Sequence, residues 1–275
     1  MNKLVSIILP TYNGAVRISD AIKSVLNQSY TNWELLVIDD GSKDNTKEIV
    51  ENFTKTDSRV KYIKNENNLG IQKTLNKGIR EAKGEYIARI DDDDIWCDPQ
   101  KLEKQVEFLD KNKDYVLVGT GVIVVDEGGK ELFRYLVSVS DYDIRERLLG
   151  KNCFVHSSVV FRKAIVLEIG GYGEGSDVRH MEDYDLWLRI GLKGKFANLP
   201  MYSIKWCLRN GSLSSVNRID IFKKIIYLIK SYKDFYPNYH WAVVRSYVRL
   251  FIYGFVLKLP IKMSLNKIIR LYKES

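Results

Sequence analysis

Long apolar stretches are scarce in this sequence of 275 residues. The first apolar run ends at Pro10, and no small-residue cleavage site follows it, which argues against a signal peptide. The apolar run 250–257 has eight residues between Arg249 and Lys258, far fewer than the roughly 20 that cross a bilayer. We therefore expect a cytoplasmic protein without a membrane-spanning helix.

Paired cysteines are also missing. Cys97, Cys153 and Cys207 are odd in number and far apart, and none has the Cys-x-x-Cys spacing of a metal site. We interpret them as reduced thiols with a structural role. The Gly-x-Gly-x-x-Gly motif that follows the first strand of many dehydrogenases is absent as well, so a dehydrogenase is not expected.

Acidic residues are scarce in one part of the sequence only. Residues 216–275 contain 12 Lys and Arg residues against 3 Asp and Glu residues, whereas residues 1–215 contain 31 against 32. The formal net charge of +8 therefore belongs to the C-terminal segment, and the rest of the chain is close to neutral. This distribution does not indicate a nucleic-acid-binding protein.

Strand and helix patterns alternate through the first hundred residues. Short apolar, β-branched runs predict strands, and apolar residues at helical spacing predict the helices between them. The predicted strands cover 4–9, 33–38, 60–63 and 86–90, and the predicted helices cover 18–26, 46–53 and 71–79. Such alternation is typical of an α/β fold with a mostly parallel sheet between helices, which binds ligands beyond the carboxyl ends of its strands.

The remaining sequence is less regular. Asp98-Pro99 is typical of a helix start, and the runs 115–125 and 133–139 predict a hairpin. From residue 217 onward the pattern is helical, basic and aromatic. We divide the chain into a first half, a second half and a C-terminal helical extension, with the bounds 1–100, 101–215 and 216–275.

Polar residues directly follow three of the predicted parallel strands. These clusters are Thr11-Tyr12-Asn13, Asp39-Asp40-Gly41-Ser42 and Asp91-Asp92-Asp93-Asp94. Because parallel strands end at the same edge of a sheet, we expect all three clusters on one rim. Asp-Gly and Asn-Gly also form ordinary turns, so a single cluster would say little. Three clusters on one rim indicate a ligand site.

Four consecutive aspartates carry an electrostatic cost, since neighbouring like charges repel and favour protonation of one carboxyl group. A divalent cation removes that cost. Oxygen ligands without nearby His or Cys suit Mg²⁺ or Mn²⁺, and Mg²⁺ commonly combines one or two carboxylates with substrate phosphates. The alternative is a solvated acidic loop, which the apolar neighbours Ile90 and Ile95-Trp96 disfavour. We predict a site for a metal ion and a diphosphate here.

The sequence resembles the inverting family 2 glycosyltransferases of the GT-A fold over roughly residues 4–215. Each motif alone is weak evidence, but their order and spacing together are specific. The matching segments are Val5–Asn13, Val37–Ser42, Asn67–Gly70, Asn76–Gly78, Gly84–Ile87, Asp91–Asp94, Gly170–Tyr172 and Glu182–Trp187.

The resemblance implies roles at the donor nucleotide. Pro10 and Tyr12 lie in the motif that contacts the nucleotide, and Tyr12 matches the residue that packs on the base. Asp40 matches the residue that accepts a hydrogen bond from a pyrimidine imide N–H, and Asp92 would reach the ribose. These matches imply a UDP-sugar donor, with a dTDP-sugar as the second choice.

The resemblance also implies a metal ligand. Asp91 and Asp93 correspond to the family's Asp-x-Asp element, with Asp91 on the donor side and Asp93 as the direct ligand of Mn²⁺ or Mg²⁺. Lys205 or Arg209 could neutralise diphosphate charge, but an ordinary surface cation is an equally good interpretation of either. Arg209 stands near the place where many family members have a histidine, so an extra metal ligand is not expected there.

On the acceptor side, the resemblance makes Asp183 the general base. An acceptor hydroxyl is a poor nucleophile until a group such as a carboxylate takes its proton. The alternative is that Asp183 only caps the helix that follows, and the two roles are compatible. Glu182, His156 and Trp187 are the other acceptor-side candidates, although a lone histidine near a strand is more often structural.

We therefore expect a GT-A-like enzyme that transfers one sugar from a nucleoside diphosphate sugar to a saccharide or lipid-linked acceptor. The Gln-x-x-Arg-Trp signature of processive synthases is absent, which favours single addition. The alternatives are a nucleotidyltransferase, although its Gly- and Lys/Arg-rich loop is missing, and a catalytically silent nucleotide-sugar or membrane-binding module. The basic extension 216–275 either lies on an anionic membrane, making the protein peripheral, or packs on the domain with a lysine-rich solvent face.

Overall fold

The structure is a computed structural model, and it describes residues 3–208 and 218–254. Nine strands form one sheet. The strands are β1 (Val5–Thr11), β2 (Trp33–Asp39), β3 (Val60–Lys64), β4 (Tyr86–Arg89), β5 (Asp94–Trp96), β6 (Tyr115–Val125), β7 (Glu131–Tyr135), β8 (Val160–Arg162) and β9 (Lys195–Cys207).

Helices separate most of these strands. They are α1 (Ile18–Leu26), α2 (Thr46–Thr56), α3 (Ile71–Glu81), α4 (Lys101–Lys111), α5 (Asp141–Leu148), α6 (Lys163–Glu168), α7 (Glu182–Ile190), α8 (Arg218–Ser231) and α9 (Tyr239–Gly254), with a 3₁₀ turn at His156–Ser158. The alternation predicted for the first hundred residues and the predicted hairpin, β6 with β7, are both confirmed. Helix α4 begins two residues later than predicted, because Asp98 accepts from the Gln100 amide before the helix starts.

The sheet has the order β3-β2-β1-β4-β8-β6-β9-β5, and β7 pairs with β6. The first four strands are parallel to one another, as predicted. Beyond β4 the sheet becomes mixed: β8 is antiparallel to β4 and β6, whereas β9 is parallel to β6. The α/β fold expected from the sequence is therefore present, with its parallel part in the first half.

Strong curvature brings the last strand of this order back towards the centre. Strand β5 lies four positions from β4, yet only residues 90–93 connect them. Four steps in a flat sheet would cover about 19 Å, whereas the five residue steps from Arg89 to Asp94 reach at most about 17 Å. The sheet therefore curls, and the Trp96 amide reaches the Ser24 hydroxyl of α1 at 3.1 Å.

Apolar side chains cover both faces of the parallel strands. Along β1, Ile7 and Leu9 belong to one buried cluster and Ile8 belongs to the other. This alternation explains why the strand sequence is apolar throughout rather than at every second position. Helix α3 packs on the Ile8 side through Leu75 and Ile79, so the edge of β1 and β2 is held rigidly.

The C-terminal helices pack on the domain. In α8, Phe222, Ile225 and Ile229 are buried in the cluster on the Ile8 side of the sheet. The Tyr236 hydroxyl donates to the Leu188 carbonyl oxygen at 2.7 Å. The packing alternative considered for the extension thus describes α8, whereas Trp241 of α9 remains 67% exposed.

No helix in the ranges 3–208 and 218–254 combines the length and the apolar character that crossing a membrane requires. The three cysteines are unpaired thiols, as the sequence predicted.

Candidate active site

The three predicted polar clusters meet at the carboxyl ends of β1, β2 and β4. Thr11 pairs with Asp39 in the sheet, and its carbonyl oxygen accepts from the Asp40 amide at 2.8 Å. The Thr11 hydroxyl donates to Asp92 Oδ2 at 2.6 Å. The Asn13 amide donates to the Ser42 hydroxyl at 2.9 Å. We call this shared edge, formed by residues 11–13, 39–42 and 91–94, the acidic rim.

Asp40 is a buried residue of the acidic rim, and three hydrogen bonds hold its carboxylate. Its Oδ1 accepts from Asn65 Nδ2 and from the Leu69 amide, both at 2.8 Å, and its Oδ2 accepts from the Gly70 amide at 2.9 Å. A carboxylate offers about four acceptor positions, so one position on Oδ2 remains for a further donor. This arrangement fixes the carboxylate and explains the motif Asn67–Gly70, whose backbone supplies two of the three donors.

Pro10 and Tyr12 occupy different environments. Pro10 lies within β1, buried and paired with Ile38. Tyr12 follows the strand and is 46% exposed, so its ring is accessible at the rim. Gly14, a little further along, leaves no room for a side chain, because a Cβ there would lie 2.5 Å from Asp92 Oδ2. The backbone after β1 therefore approaches the acidic residues closely.

The four consecutive aspartates separate into two environments. Asp94 begins β5, is buried, and accepts from the Ser157 hydroxyl, which also donates to Asp91 Oδ2 at 3.3 Å. Burial and the charge of Asp91 raise the pKa of Asp94 well above its ordinary value. Asp91, Asp92 and Asp93 are only half-buried and face the rim. Three of the four aspartates, rather than all four, are therefore available to a ligand.

The charges of these three residues favour a nearby cation. Burial, with the charges of Asp93 and Asp91 as further causes, raises the pKa of Asp92 to about 6. Within residues 3–208 and 218–254, no group of three or more His, Cys, Asp or Glu side chains is placed to hold a metal ion by itself. One or two carboxylates suffice for Mg²⁺ when substrate phosphates supply other ligands. The oxygen donors present fit a metal ion that binds together with a diphosphate.

Arg89, which the sequence analysis did not single out, sets the charge balance beneath the rim. Its side chain is 2% exposed and donates from Nη2 to Asp91 Oδ1 at 2.6 Å. Burial opposes ionisation of Asp91 and is the largest single influence, but the charge of Arg89, the charge of His156 and the hydrogen bonds from Arg89 and Ser157 together lower the pKa of Asp91. The signal in the sequence was a charged residue inside a strand that is otherwise apolar and buried, since such a charge requires a partner.

Asp183 lies in the first turn of α7. Its Oδ2 accepts from Asn152 Nδ2 at 2.8 Å, and its Oδ1 accepts from the Tyr184 amide at 2.7 Å. It is not the N-cap, which is Met181, so the capping alternative does not account for it. Burial raises the pKa of Asp183 above its ordinary value, and the nearby charge of Asp91 acts in the same direction. The carboxyl groups of α7 and the acidic rim are therefore electrostatic neighbours.

Glu182 precedes Asp183 and is more strongly perturbed. Burial and the charge of Asp183 raise the pKa of Glu182 to about 7. Its Oε2 atom is buried and has no hydrogen-bond partner within the part of the chain that the structure describes. An unsatisfied buried carboxylate is costly in an ordinary helix, which is consistent with a functional position.

His156 is half-buried and Trp187 is buried. His156 Nε2 forms a 2.7 Å hydrogen bond with the Tyr172 hydroxyl, and burial lowers the pKa of His156 well below its ordinary value. The indole of Trp187 is fully buried and packs edge-on against the His156 ring at 5.8 Å. The Trp187 indole therefore belongs to the core, and the half-buried His156 ring packs on it.

The remaining cation candidates differ in position. Lys205 is exposed on β9, where its backbone pairs with Ile95 of β5. Arg209 falls outside the described residues.

Comparisons with known proteins agree with this geometry. Residues 6–170 match the family model described as glycosyl transferase family 2. The putative glycosyltransferase EpsE of Bacillus subtilis is 38% identical over 205 residues, which cover 73% of this chain and 72% of that protein. The Escherichia coli UDP-Glc:alpha-D-GlcNAc-diphosphoundecaprenol beta-1,3-glucosyltransferase WfgD is 36% identical over 214 residues, which cover 77% and 80% of the two chains.

Solved structures establish the fold. S. aureus TarS in complex with UDP-GlcNAc aligns with a TM-score of 0.72 at 19% identity over 94% of this chain and 76% of that one. The mannosyltransferase PcManGT from Pyrobaculum calidifontis, in complex with GDP-Man and Mn²⁺, aligns with a TM-score of 0.67 at 18% identity over 98% and 78%. The fold is thus the GT-A fold, and the chain belongs to glycosyltransferase family 2.

Proposed function

We propose that this glycosyltransferase inverts the anomeric centre as it moves one sugar from a UDP-sugar to a hydroxyl group of a lipid-linked saccharide, in bacterial-type surface polysaccharide or glycolipid synthesis. In this proposal residues 1–100 bind the donor and residues 101–215 bind the acceptor. The named activity of WfgD supports the donor and acceptor classes. The observation that carries the proposal is the half-buried carboxylate of Asp183, held by two hydrogen bonds beside the acidic rim.

Asp183 serves as the general base. Asn152 and the Tyr184 amide hold its carboxylate in one orientation, so its remaining acceptor positions can face an incoming hydroxyl group. The raised pKa brings the basicity of Asp183 closer to neutral pH, where proton transfer is more effective. The acceptor oxygen attacks the anomeric carbon as its proton passes to Asp183, and the bond to the nucleotide breaks on the opposite face.

The acidic rim holds the donor. Asp40 accepts the imide N–H of uracil at its remaining position, Tyr12 packs on the base, and Asp92 reaches the ribose. Pro10 shapes the strand end beneath the nucleotide. Asp93, with Asp91 beside it, would hold Mn²⁺ or Mg²⁺, which neutralises charge on a departing diphosphate when it is bound.

The first test replaces the base. Asp183→Asn keeps the size of the side chain but cannot take up a proton, so kcat should fall by about 10²- to 10⁴-fold while UDP-sugar affinity stays the same. Nucleotide release from UDP-sugars, with dTDP-sugars as the second series, measures the rate, and calorimetry measures the affinity. Asp177→Asn, an exposed change a few residues away, is the matched control. Wild-type turnover in Asp183→Asn would remove this residue from the mechanism.

The second test addresses the metal. Asp93→Asn removes one ligand charge and should weaken Mn²⁺-dependent UDP-sugar binding by at least about tenfold, with an unchanged melting temperature. Affinity is measured with Mn²⁺ and again with a chelator present. If the variant and the wild type respond to Mn²⁺ equally, the assignment of Asp93 is wrong. A chain that binds UDP-sugar but never releases nucleotide with any acceptor would instead be a silent binding module.

A further inference from the structure

Four cations converge where the end of α5 meets α9. Arg147 is exposed in the last turn of α5, Lys151 follows that helix, and Arg245 and Arg249 lie one turn apart in α9. Burial, with the charges of Arg245, Arg147 and Arg249 as further causes, lowers the pKa of Lys151 to about 8. We call these four residues the α5–α9 basic cluster.

The cluster is held together at Gly150. Arg249 Nη1 donates to the Gly150 carbonyl oxygen at 3.1 Å. A side chain at position 150 would meet α9, because its Cβ would lie 3.3 Å from the Cα atom of Ala242. Ala242, Ser246 and Arg249 therefore share the helix face that contacts this loop.

Ser246 supplies an unused polar group on that face. It is fully buried, and its hydroxyl has no hydrogen-bond partner among residues 3–208 and 218–254. Buried hydroxyl groups are normally paired, and an unpaired one costs on the order of 1–3 kcal/mol. A donor beside several cations is the chemistry that recognises a phosphate group.

The cluster is also adjacent to the acceptor side of the proposed active site. Lys151 is followed directly by Asn152, whose amide holds Asp183 Oδ2 at 2.8 Å. Consecutive Cα atoms lie 3.8 Å apart. The Cα atoms of Lys151, which belongs to the cluster, and of Asn152, which orients the proposed base Asp183, are therefore neighbours. A ligand at the cluster would place its attached sugar near Asp183.

The outward face of α9 is apolar instead of polar. Trp241, Val244, Val248 and Phe251 follow one another at helical spacing and are 67%, 51%, 51% and 59% exposed. The inward face carries the polar residues Ser246 and Arg249 beside the apolar Ala242, so apolar residues lie on both faces of the helix. Exposed aromatic and aliphatic residues beside cations suit the interface of a lipid bilayer. Arg245 is half-buried at the boundary between the two faces, so a ligand that reaches the cluster past this surface would be attached to a lipid.

Resting on the proposed function, we propose that the α5–α9 basic cluster, together with the Ser246 hydroxyl, binds the diphosphate of a lipid-linked acceptor. Arginine side chains offer paired N–H donors to phosphate oxygens, and four cations exceed the charge of one diphosphate. The site anchors the acceptor by its charged link, whereas the acidic rim anchors the donor.

The first experiment titrates inorganic pyrophosphate in metal-free buffer, in which the acidic rim repels anions. Wild-type protein should bind it, and Arg147→Gln with Arg245→Gln should weaken binding at least tenfold. The control pair Arg80→Gln with Arg179→Gln removes equal charge from exposed positions elsewhere and should change nothing. Equal binding by the two double variants would overturn the proposal. Arg147→Gln alone, a change at an exposed position, should give a smaller loss without affecting the fold.

UDP binding in Mn²⁺ is measured for every variant and should be unchanged. If the wild-type protein does not bind UDP, the proposed donor site is contradicted. If the cluster variants bind UDP normally but bind pyrophosphate more weakly, the result supports the acceptor site independently of the donor site.

The second experiment identifies the source of the diphosphate. Phosphatidylcholine vesicles carry either a polyprenyl diphosphate or phosphatidylglycerol at the same surface charge. Wild-type protein should bind the polyprenyl diphosphate vesicles at least tenfold more tightly, and the Arg147→Gln, Arg245→Gln variant should lose that preference. Equal binding of the wild-type protein to both kinds of vesicle would overturn the lipid-linked assignment. Binding of free pyrophosphate as tightly as of the polyprenyl diphosphate vesicles would overturn it as well.

Discussion

The carboxyl groups near Arg89 have pKa values shifted in opposite directions by their surroundings. Arg89 lowers the pKa of Asp91, whereas Asp94, which accepts from Ser157, has a raised pKa because it is buried beside Asp91. Four consecutive aspartates in the sequence predicted a cation-binding segment. They could not predict that Asp94 faces inward, because that depends on its position in β5 and on contact with Ser157, 63 residues further along the chain.

Glu182 gives a prediction about stability and pH. Its pKa is about 7 in the folded protein and 4.5 ordinarily, so the folded state holds a proton more tightly. The contribution of Glu182 to stability is therefore fully present below about pH 4.5, and it is lost as the pH rises through about 7. Glu182→Gln removes the buried charge and should stabilise the protein at pH 8 by up to about 3 kcal/mol.

Thermal unfolding at pH 8 and at pH 4.5 measures this effect. At the lower pH the wild-type side chain is largely protonated, so the two proteins should melt almost together. An equal difference at both values would show that the charge of Glu182 is not the cause.

At the level of elements, a contact between two of the family motifs holds the segment before α7 against α3. Asn76 of α3 donates to the Tyr172 carbonyl oxygen at 2.9 Å and accepts from the Tyr172 amide at 2.8 Å. This contact positions the Tyr172 hydroxyl that meets His156. The motifs around residues 76–78 and 170–172 were visible in the sequence, but their mutual contact spans 96 residues and depends on the assembled sheet.

Gly171 tests that contact. It has a φ of +76°, and a Cβ there would lie 2.4 Å from Asn76 Oδ1. Gly170 has a φ of +84° but open space around it, which makes it the matched control for backbone strain. Gly170→Ala should cost about 1 kcal/mol.

Gly171→Ala should cost that strain together with the disturbed Asn76 hydrogen bonds, about 2–4 kcal/mol in total. Chemical denaturation of both variants measures the difference. Equal losses would show that the contact between α3 and this segment contributes little to stability.

The strand and helix positions of the first half were predictable because each element there is continuous in sequence, with strands β1, β2 and β4 buried throughout and helices that bury one apolar face. The second half was harder. Strand β8 has only three residues, and β5 pairs with β9, more than 100 residues away, so neither has a local pattern that predicts its neighbours. The excess of basic residues in the extension could be counted in the sequence. The packing of α8 on the domain could not be predicted, because it depends on core residues from distant parts of the chain.

At the scale of the whole molecule, the basic extension predicts salt-dependent binding to anionic membranes. Replacing three exposed lysines of the extension by glutamine should weaken binding to phosphatidylglycerol vesicles by roughly ten- to hundredfold at low salt, since each nearby cation contributes about 1 kcal/mol. The three lysines are Lys223, Lys230 and Lys233.

A second triple variant changes the same charge on the first half of the chain and should bind as wild type does. Its positions, all exposed, are Lys55, Lys73 and Lys83. Vesicle sedimentation across a range of salt concentrations compares the proteins. If both triple variants weaken binding equally, the attraction is a property of total charge rather than of the extension.

The short connection between β4 and β5 limits how this enzyme can evolve. Residues 90–93 reach from the middle of the sheet to its curled edge, and they carry Asp91, Asp92 and Asp93 on the way. Loss of one residue would break the turn in which the Asp94 amide donates to the Asp91 carbonyl oxygen at 3.2 Å, and it would shift the carboxylates or pull β5 away from β9. The hairpin turn 126–130 is under no such restriction. Insertions and deletions during divergence should therefore accumulate in that turn, while the acidic segment keeps a constant length in every descendant that remains active.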